Sequence, residues 1–415
     1  MSNLYNQVRH EIAAGGDPGG PSPKSGASGW ITLAVMLGLV AWAAASNPWM
    51  LLFVVGLLVC VFLHEMGHFV TARLTGMKVT QFFMGFGPRL WSRQRGELEY
   101  GVRALPLGAF VRIIGMNNLD DCPPEDEQHA YRSKSYPRRM LVITAGSLMH
   151  FVIALVLFAG TYAVSGRYGE TGEVTVLEVV DEALGKTTGA KAAGLQPGDV
   201  LASLDGVELR SREDLTDAMG SRSPGDEVTI VVRRDGTEFS RSVELVNSGS
   251  DRAFLGVGPS SVDWVDVGPA GALRWAGVDL VDYAVDSVKG VFVVLDPRNL
   301  VSNVVSEEAD PMTRPTTIVG ASQVGGVIGA ESGLGSVLLL LAGVNVFFGV
   351  FNLFPCLPFD GGHAAIATYE RIRSRKGRPY RADVGKMMTA ATVMMILMFA
   401  VFAVGLYLDL TQPFG

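Results

Sequence analysis

Five long apolar runs separated by charged stretches organise this chain before any motif is considered. They are Trp30–Ser46, Met50–Leu74, Leu141–Val164, Gly335–Phe354 and Met387–Leu408. Each approaches the roughly 20 apolar residues that a helix needs to cross a bilayer. The first is short, and only Asn47-Pro48-Trp49 separates it from the second, so an interfacial or re-entrant segment is its alternative reading. Between the second and third runs, Leu98, Tyr100, Val102 and Ala104 alternate with Glu97, Glu99, Gly101 and Arg103. That period of two predicts a strand with one apolar face. Arg95-Gly96 is the expected turn and Phe110–Ile114 a further short strand. Upstream, the apolar, glycine-rich stretch Phe82–Pro88 suits a hairpin dipping into the membrane, with a small surface sheet against the helix ends as the alternative. Residues 170–258 read as an α+β domain, with a strand at Val174–Val180 and a hairpin of Asp226–Arg233 and Glu238–Val246 turning at Asp235-Gly236. Over 273–295, Leu273, Trp275, Val278, Val281, Val285, Val288, Phe292 and Leu295 fall on helical spacing, opposite Asp279, Asp282, Asp286 and Lys289. This amphipathic helix lies in the headgroup region or packs on protein.

The pattern predicts a polytopic α-helical membrane protein of about five spans, carrying a β-hairpin element and an inserted α+β domain. In chain order it sets a disordered tail over 1–29, an extra membrane segment over 30–46, and a membrane helix over 50–74. A hairpin-bearing loop over 75–140, a span over 141–164 and the α+β domain over 170–258 follow. A linker over 259–334, a span over 335–356, a basic loop over 357–386 and a last span over 387–408 complete the chain. Hydrophobic residues make up 48% of the 415 positions, too many for an ordinary soluble enzyme, and nothing in the chain calls for a nucleic-acid partner.

Charge then orients the spans. The net charge of −7 conceals 27 acidic and 14 basic residues over 167–331, against seven basic and two acidic over 370–386. The loop after the second run is basic as well, with Arg73, Lys78, Arg89, Arg93, Arg95 and Arg103 among its cations. Excess Lys and Arg mark cytoplasmic loops, which places the acidic domain outside the cell in a multi-pass plasma-membrane protein. Cys60, Cys122 and Cys356 all lie outside the exported domain, so no disulfide framework is expected.

The chemistry sits where a bilayer helix should tolerate none. His64, Glu65 and His68 occur near the end of the second apolar run, as His64-Glu65-Met66-Gly67-His68. Ionisable groups at that depth are costly and mark functional sites. Residues four apart share a helix face, so His64 and His68 can bind one metal with Glu65 beside them as a base. Catalytic zinc takes three protein ligands and keeps a position open. Asp360 fits the third place, in Asn352-Leu353-Phe354-Pro355-Cys356-Leu357-Pro358-Phe359-Asp360-Gly361-Gly362, where prolines break a helix end next to a carboxylate. His363 is its rival. Cys60 and Cys356 lie close enough in sequence to touch a metal, although buried cysteine usually acts as a small hydrophobe. The strand edge near Phe86 and Gly87 could pair with an unwound substrate segment.

Together the two elements resemble the site-2 protease family of zinc intramembrane proteases, in which HExxH on one span precedes an NxxP…DG motif on a later one. Ala193-Gly194-Leu195-Gln196-Pro197-Gly198-Asp199-Val200-Leu201 and Leu204-Asp205-Gly206 resemble the core of a PDZ domain, with Phe254-Leu255-Gly256-Val257 as its groove loop. A single PDZ domain places the resemblance nearer the bacterial members. It also takes in Gly85-Phe86-Gly87-Pro88 and Pro106-Leu107-Gly108. The resemblance implies Zn2+ held by His64, His68 and Asp360, Glu65 as the catalytic base, and Asn352 bonding substrate backbone. It further implies pre-trimmed single-span substrates in the bilayer, such as anti-sigma factors or remnant signal peptides, with a possible peptide ligand for the PDZ domain. Two departures stand out: His150 occupies the place of an amide in the family's AGPxxN pattern, and Trp30–Ser46 is outside its minimal core. A PDZ-bearing scaffold with a structural metal, and an ion transporter, are the competing classes. The scaffold has no use for Glu65 beside a zinc, and the transporter lacks inverted repeats or a second polar cluster along a path.

Overall fold

The computed structural model describes residues 27–116, 120, 122–249, 252–306, 310, 312–375, 378 and 380–414. Most of the expected disordered tail, residues 1–26, lies outside them. The chain divides into two compact units, Met1–Ala159 with Ala276–Gly415, and Gly160–Trp275.

In the first unit, helices α1 (Ala27–Ser46) and α2 (Pro48–Leu74) are separated by Asn47. Its Oδ1 accepts from Trp49 N at 2.9 Å and Pro48 fills the first helical position, the residue pair that starts a helix cleanly. Strands β1 (Val79–Arg95) and β2 (Leu98–Ile113) form the hairpin. Helix α3 (Tyr136–Ser165) begins five residues before the expected span. Among the described residues four helices are long and apolar enough to cross a bilayer: α2, α3, and two further ones at Ile318–Asn352 and Val384–Thr411. Their outward side chains include Val55, Val59, Val152, Val156, Ile396 and Phe399, all exposed, a surface suited to lipid rather than water. The chain is a multi-pass membrane protein. Helix α1 lies against α2 and the hairpin and is not among these four.

The hairpin is longer than its alternation suggests, because glycines carry it through bends. Gly85, Gly87 and Gly108 all adopt positive φ. Residues 79–84 pair with 109–113 and also lie against 99–102, so the ribbon folds back on itself.

The second unit holds strands β3 (Arg167–Val179), β4 (Val200–Leu204), β5 (Val207–Glu208), β6 (Glu227–Arg234), β7 (Thr237–Glu244) and β8 (Val257–Val265). Helix α4 (Arg212–Gly220) starts from a capping box of Ser211 and Asp214. The sheet runs β8-β3-β4-β6-β7, with β5 on β4. Val174, Val176, Leu201, Leu204, Ile230, Val232 and Leu245 fill its core. The β6–β7 turn falls at Asp235-Gly236, both with positive φ. The expected boundary at residue 258 is too early. Strand β8 pairs with β3 from Val257↔Val179 to Val265↔Arg167, so the sheet needs residues 167–265; the first residues of the expected linker form an edge strand.

The chain continues with helices α5 (Gly268–Leu295), α6 (Pro297–Val305) and α7 (Ile318–Asn352). On α5, Val281, Val285, Val288 and Phe292 stay exposed, as a face turned to lipid would be. Helix α7 starts seventeen residues before the expected apolar run, and Gly333 at φ 75° interrupts it. Glycine-rich 318–332 looks like linker, but Gly325, Gly326 and Gly329 give α2 a flat surface at Phe53, Met50 and Trp49. Helix α8 (Asp360–Arg373) replaces the first half of the expected basic loop, and α9 (Met388–Thr411) ends the fold. The buried Asp409 carboxylate of α9 accepts from Thr317 N at 2.8 Å, Thr317 Oγ1 at 2.7 Å and Gly320 N at 3.0 Å. It also pairs with Arg314 at 3.0 Å, capping α7 from another helix.

In the second unit, Asp199 of the Gly-Asp turn is buried and bonds Arg234 Nε at 2.6 Å, Arg234 Nη2 at 2.8 Å and Gln196 N at 2.8 Å. The Arg234 guanidinium holds its carboxyl below the usual aspartate value. A depressed folded-state pKa stabilises above the unfolded value, ~3.9, and that stabilisation fades as pH falls through the folded one. Asp199→Asn should therefore destabilise an excised 160–275 fragment by about 1.5–3 kcal/mol at pH 7 in urea titrations. The difference should shrink steadily below about pH 4.

Candidate metal centre

The site is built where α2 and α3 approach closely enough to exclude side chains. A Cβ on Gly67 would lie 2.8 Å from Ala145 O, and one on Gly146 would overlap the rings of both His64 and His68. Glycine at both positions lets the imidazole-bearing face of α2 press on the backbone of α3. The second element arrives through the turn between α7 and α8. Gly361 and Gly362 pack against the backbone of Leu353, Phe354, Cys356 and Leu357, leaving no room for a Cβ. This folds the first turn of α8 back on the end of α7 and carries Asp360 inward.

His64, His68 and Asp360 meet there. His68 Nε2 lies 3.2 Å from His64 Nε2 and 3.2 Å from Asp360 Oδ2, and His64 Nε2 is 3.5 Å from the same oxygen. Zinc bound tetrahedrally at about 2.0–2.1 Å sets its ligand atoms about 3.3–3.4 Å apart, so the residues present fit that ion without rearrangement. His68 Nδ1 donates to the Val142 carbonyl at 2.8 Å, which turns Nε2 toward the cluster. Glu65 Oε1 is 4.0 Å from His64 Nε2, beside the donors rather than among them, and the Val111 backbone of β2 faces its carboxylate.

Other expected residues are placed differently. Asn352 is half-buried at the last position of α7, one turn of chain before Asp360. His363 is not part of the donor cluster, and Cys356 Sγ points at Leu357 O, 3.4 Å away within its own turn. Phe86 is half-exposed and stacks on Phe110 at 6.1 Å, while Gly87 O accepts from Arg103 Nη1 at 3.2 Å. Besides Val111, the hairpin meets the helix face around the motif through Phe82, whose ring contacts Phe62 at 5.6 Å and Phe69 at 5.3 Å. Sequence reasoning missed Asn345. It is fully buried and bonds His150 Nδ1 at 2.8 Å, and its only signal was an amide alone in an apolar run. His150 is also buried, its ring 4.8 Å from that of His64.

The profile of Peptidase family M50 matches residues 52–399. The chain belongs to peptidase family M50. It is 35% identical over 400 residues to zinc metalloprotease Rip1 of Mycobacterium tuberculosis, covering 87% of this chain and 97% of that protein. Zinc metalloprotease Rip1 of Mycolicibacterium smegmatis matches at 34% over 398 residues with the same coverage. Among solved structures, the PDZ domain of an SdrC-like protein from Listeria monocytogenes matches 22% of this chain and 90% of its own length. The identity is 21% and the TM-score 0.19. Membership of the M50 family makes this protein a site-2-type metalloprotease with zinc as cofactor, the ion that the donor spacing fits.

Because Gly146 leaves no space beside the imidazoles, Gly146→Ala should displace them. Zinc affinity, measured by chelator competition on purified protein, is expected to fall at least ~10-fold.

Proposed function

We propose that this M50 peptidase is an intramembrane endopeptidase that hydrolyses peptide bonds within the transmembrane segments of single-span proteins already trimmed outside the membrane. Anti-sigma factors and remnant signal peptides are the substrate classes this reading favours. The observation that carries it is the convergence of His64, His68 and Asp360 on helices that are membrane spans or adjoin one. The basic loops support a site opening toward the cytoplasm and an exported second unit.

In this mechanism His64, His68 and Asp360 would hold zinc, which would supply Lewis acidity for the scissile carbonyl and for the attacking water. Glu65 takes the water's proton and passes it to the leaving amine. Its 4.0 Å offset from His64 suits a base that stands next to the metal without ligating it. A helical substrate hides its carbonyls in intrahelical bonds, so local unwinding must precede attack. Asn352, at the end of α7, bonds the freed backbone, and the hairpin strands around Phe86 and Gly87 offer a template for an extended segment. The second unit is read as a PDZ domain that filters substrates by size. It carries a peptide-sized cleft of about 530 Å3 between α4 and the edge strand β8, lined by Ser211, Thr216, Ser260 and Val262. A peptide ligand would add there as a further strand.

Glu65→Gln should keep stoichiometric zinc while cleavage of a model transmembrane peptide drops by about 10^2-fold or more. Full activity in that variant removes Glu65 from the proton transfers. Deleting residues 160–275, with a flexible linker in their place, should allow cleavage of untrimmed substrates in a cell-based reporter. Continued dependence on trimming would rule out the size filter.

A further inference from the structure

The two metal-binding imidazoles are oriented by different means. On His68, the Val142 carbonyl takes the Nδ1 proton at 2.8 Å. His64 Nδ1 is buried and makes no hydrogen bond of good geometry. The Gly146 backbone bonds the imidazole, and its ring partner is His150, 4.8 Å away between centroids and tilted 40°.

His150 is itself fixed, and its tautomer follows from the neighbouring amide. Asn345 Nδ2 lies 2.8 Å from Leu341 O, which can only accept, and 3.2 Å from Cys60 Sγ. The amide nitrogen must therefore face that side, leaving Oδ1 toward His150 Nδ1 at 2.8 Å. A carbonyl oxygen accepts, so Nδ1 carries the proton. Phe348 closes another side of the His150 ring, at 5.8 Å. The chain of contacts runs from α7 through α3 to α2, and Cys60 joins it one helical turn before His64.

We propose that His150, held by Asn345, is a positioning residue for His64, fixing the ring by packing alongside the Gly146 backbone, as the Val142 carbonyl fixes His68 by a hydrogen bond. It rests on the reading of His64 as a zinc ligand. The His150 ring fills space against His64, and its polar edge is satisfied by Asn345. Cys60 serves that amide and takes no part in ligation.

The test uses the full-length protein in detergent, with zinc affinity from chelator competition and the visible spectrum of the cobalt-substituted form. His150→Ala should weaken zinc about 10-fold and alter the cobalt bands. His150→Phe retains a stacked ring and should recover most of that loss. Asn345→Leu should weaken zinc in the wild-type background and add nothing in the His150→Phe background, where there is no Nδ1 proton to hold. Wild-type affinity and spectrum in both His150→Ala and Asn345→Leu overturn the proposal, and so do independent, additive losses. If His150→Ala does not fold, the comparison of His150→Phe with His150→Phe/Asn345→Leu decides the question alone. Zinc retained at full affinity by His64→Ala would overturn the ligand assignment itself, whatever His150 does.

Discussion

Two imidazole nitrogens and a carboxylate oxygen converge within 3.2–3.5 Å, at the buried junction of α2 and α8. Lone pairs aimed at one point in a low-dielectric interior oppose one another unless a cation stands among them. The rest of the first unit can be understood as the scaffold that enforces this crowding. Helix α2 supplies two donors by spacing alone. Bringing Asp360 to them, across 292 positions of sequence, takes the whole path of α7, its terminal turn and the start of α8.

Absent side chains provide that closeness. Gly67 and Gly146 bring α2 and α3 to backbone contact, and Gly361 and Gly362 do the same for α8 against the preceding turn. Longer-range restraints hold the pieces. At the far end of α8, the buried Glu370 pairs with Arg139 of α3 at 2.7 Å and accepts from Ala382 N at 2.8 Å. The helix carrying Asp360 is thus tied at its far end to α3, the helix that backs the imidazoles, and at its near end to the turn that follows α7.

The chemistry was legible because it is local: His64, Glu65 and His68 occupy one helix turn, and Asp360 stands beside helix breakers. The spans were legible for the same reason, through runs of apolar residues. What escaped depends on contact between distant segments. The first half of α7 is helical because its glycines fit α2, not because its composition favours a helix. Helix α8 was hidden behind Gly361-Gly362 and a basic tract whose one structural acid, Glu370, reveals its role only beside Arg139. Asn345 had no meaning until His150 and Cys60 were placed around it. The edge strand β8 was lost in the expected linker because strand pairing with β3, rather than propensity, defines it.

The cap on α7 has a consequence for how the molecule is made. Thr317 leaves the ribosome 92 residues before Asp409, the carboxylate that satisfies its amide. Until α9 is in place, the amides of Thr317 and Gly320 lack the carboxylate that accepts from them, and the segment ahead of Gly333 lacks that anchor. The start of α7 thus takes its final form only when α9 is packed beside it, well after the residues of the metal centre have been made.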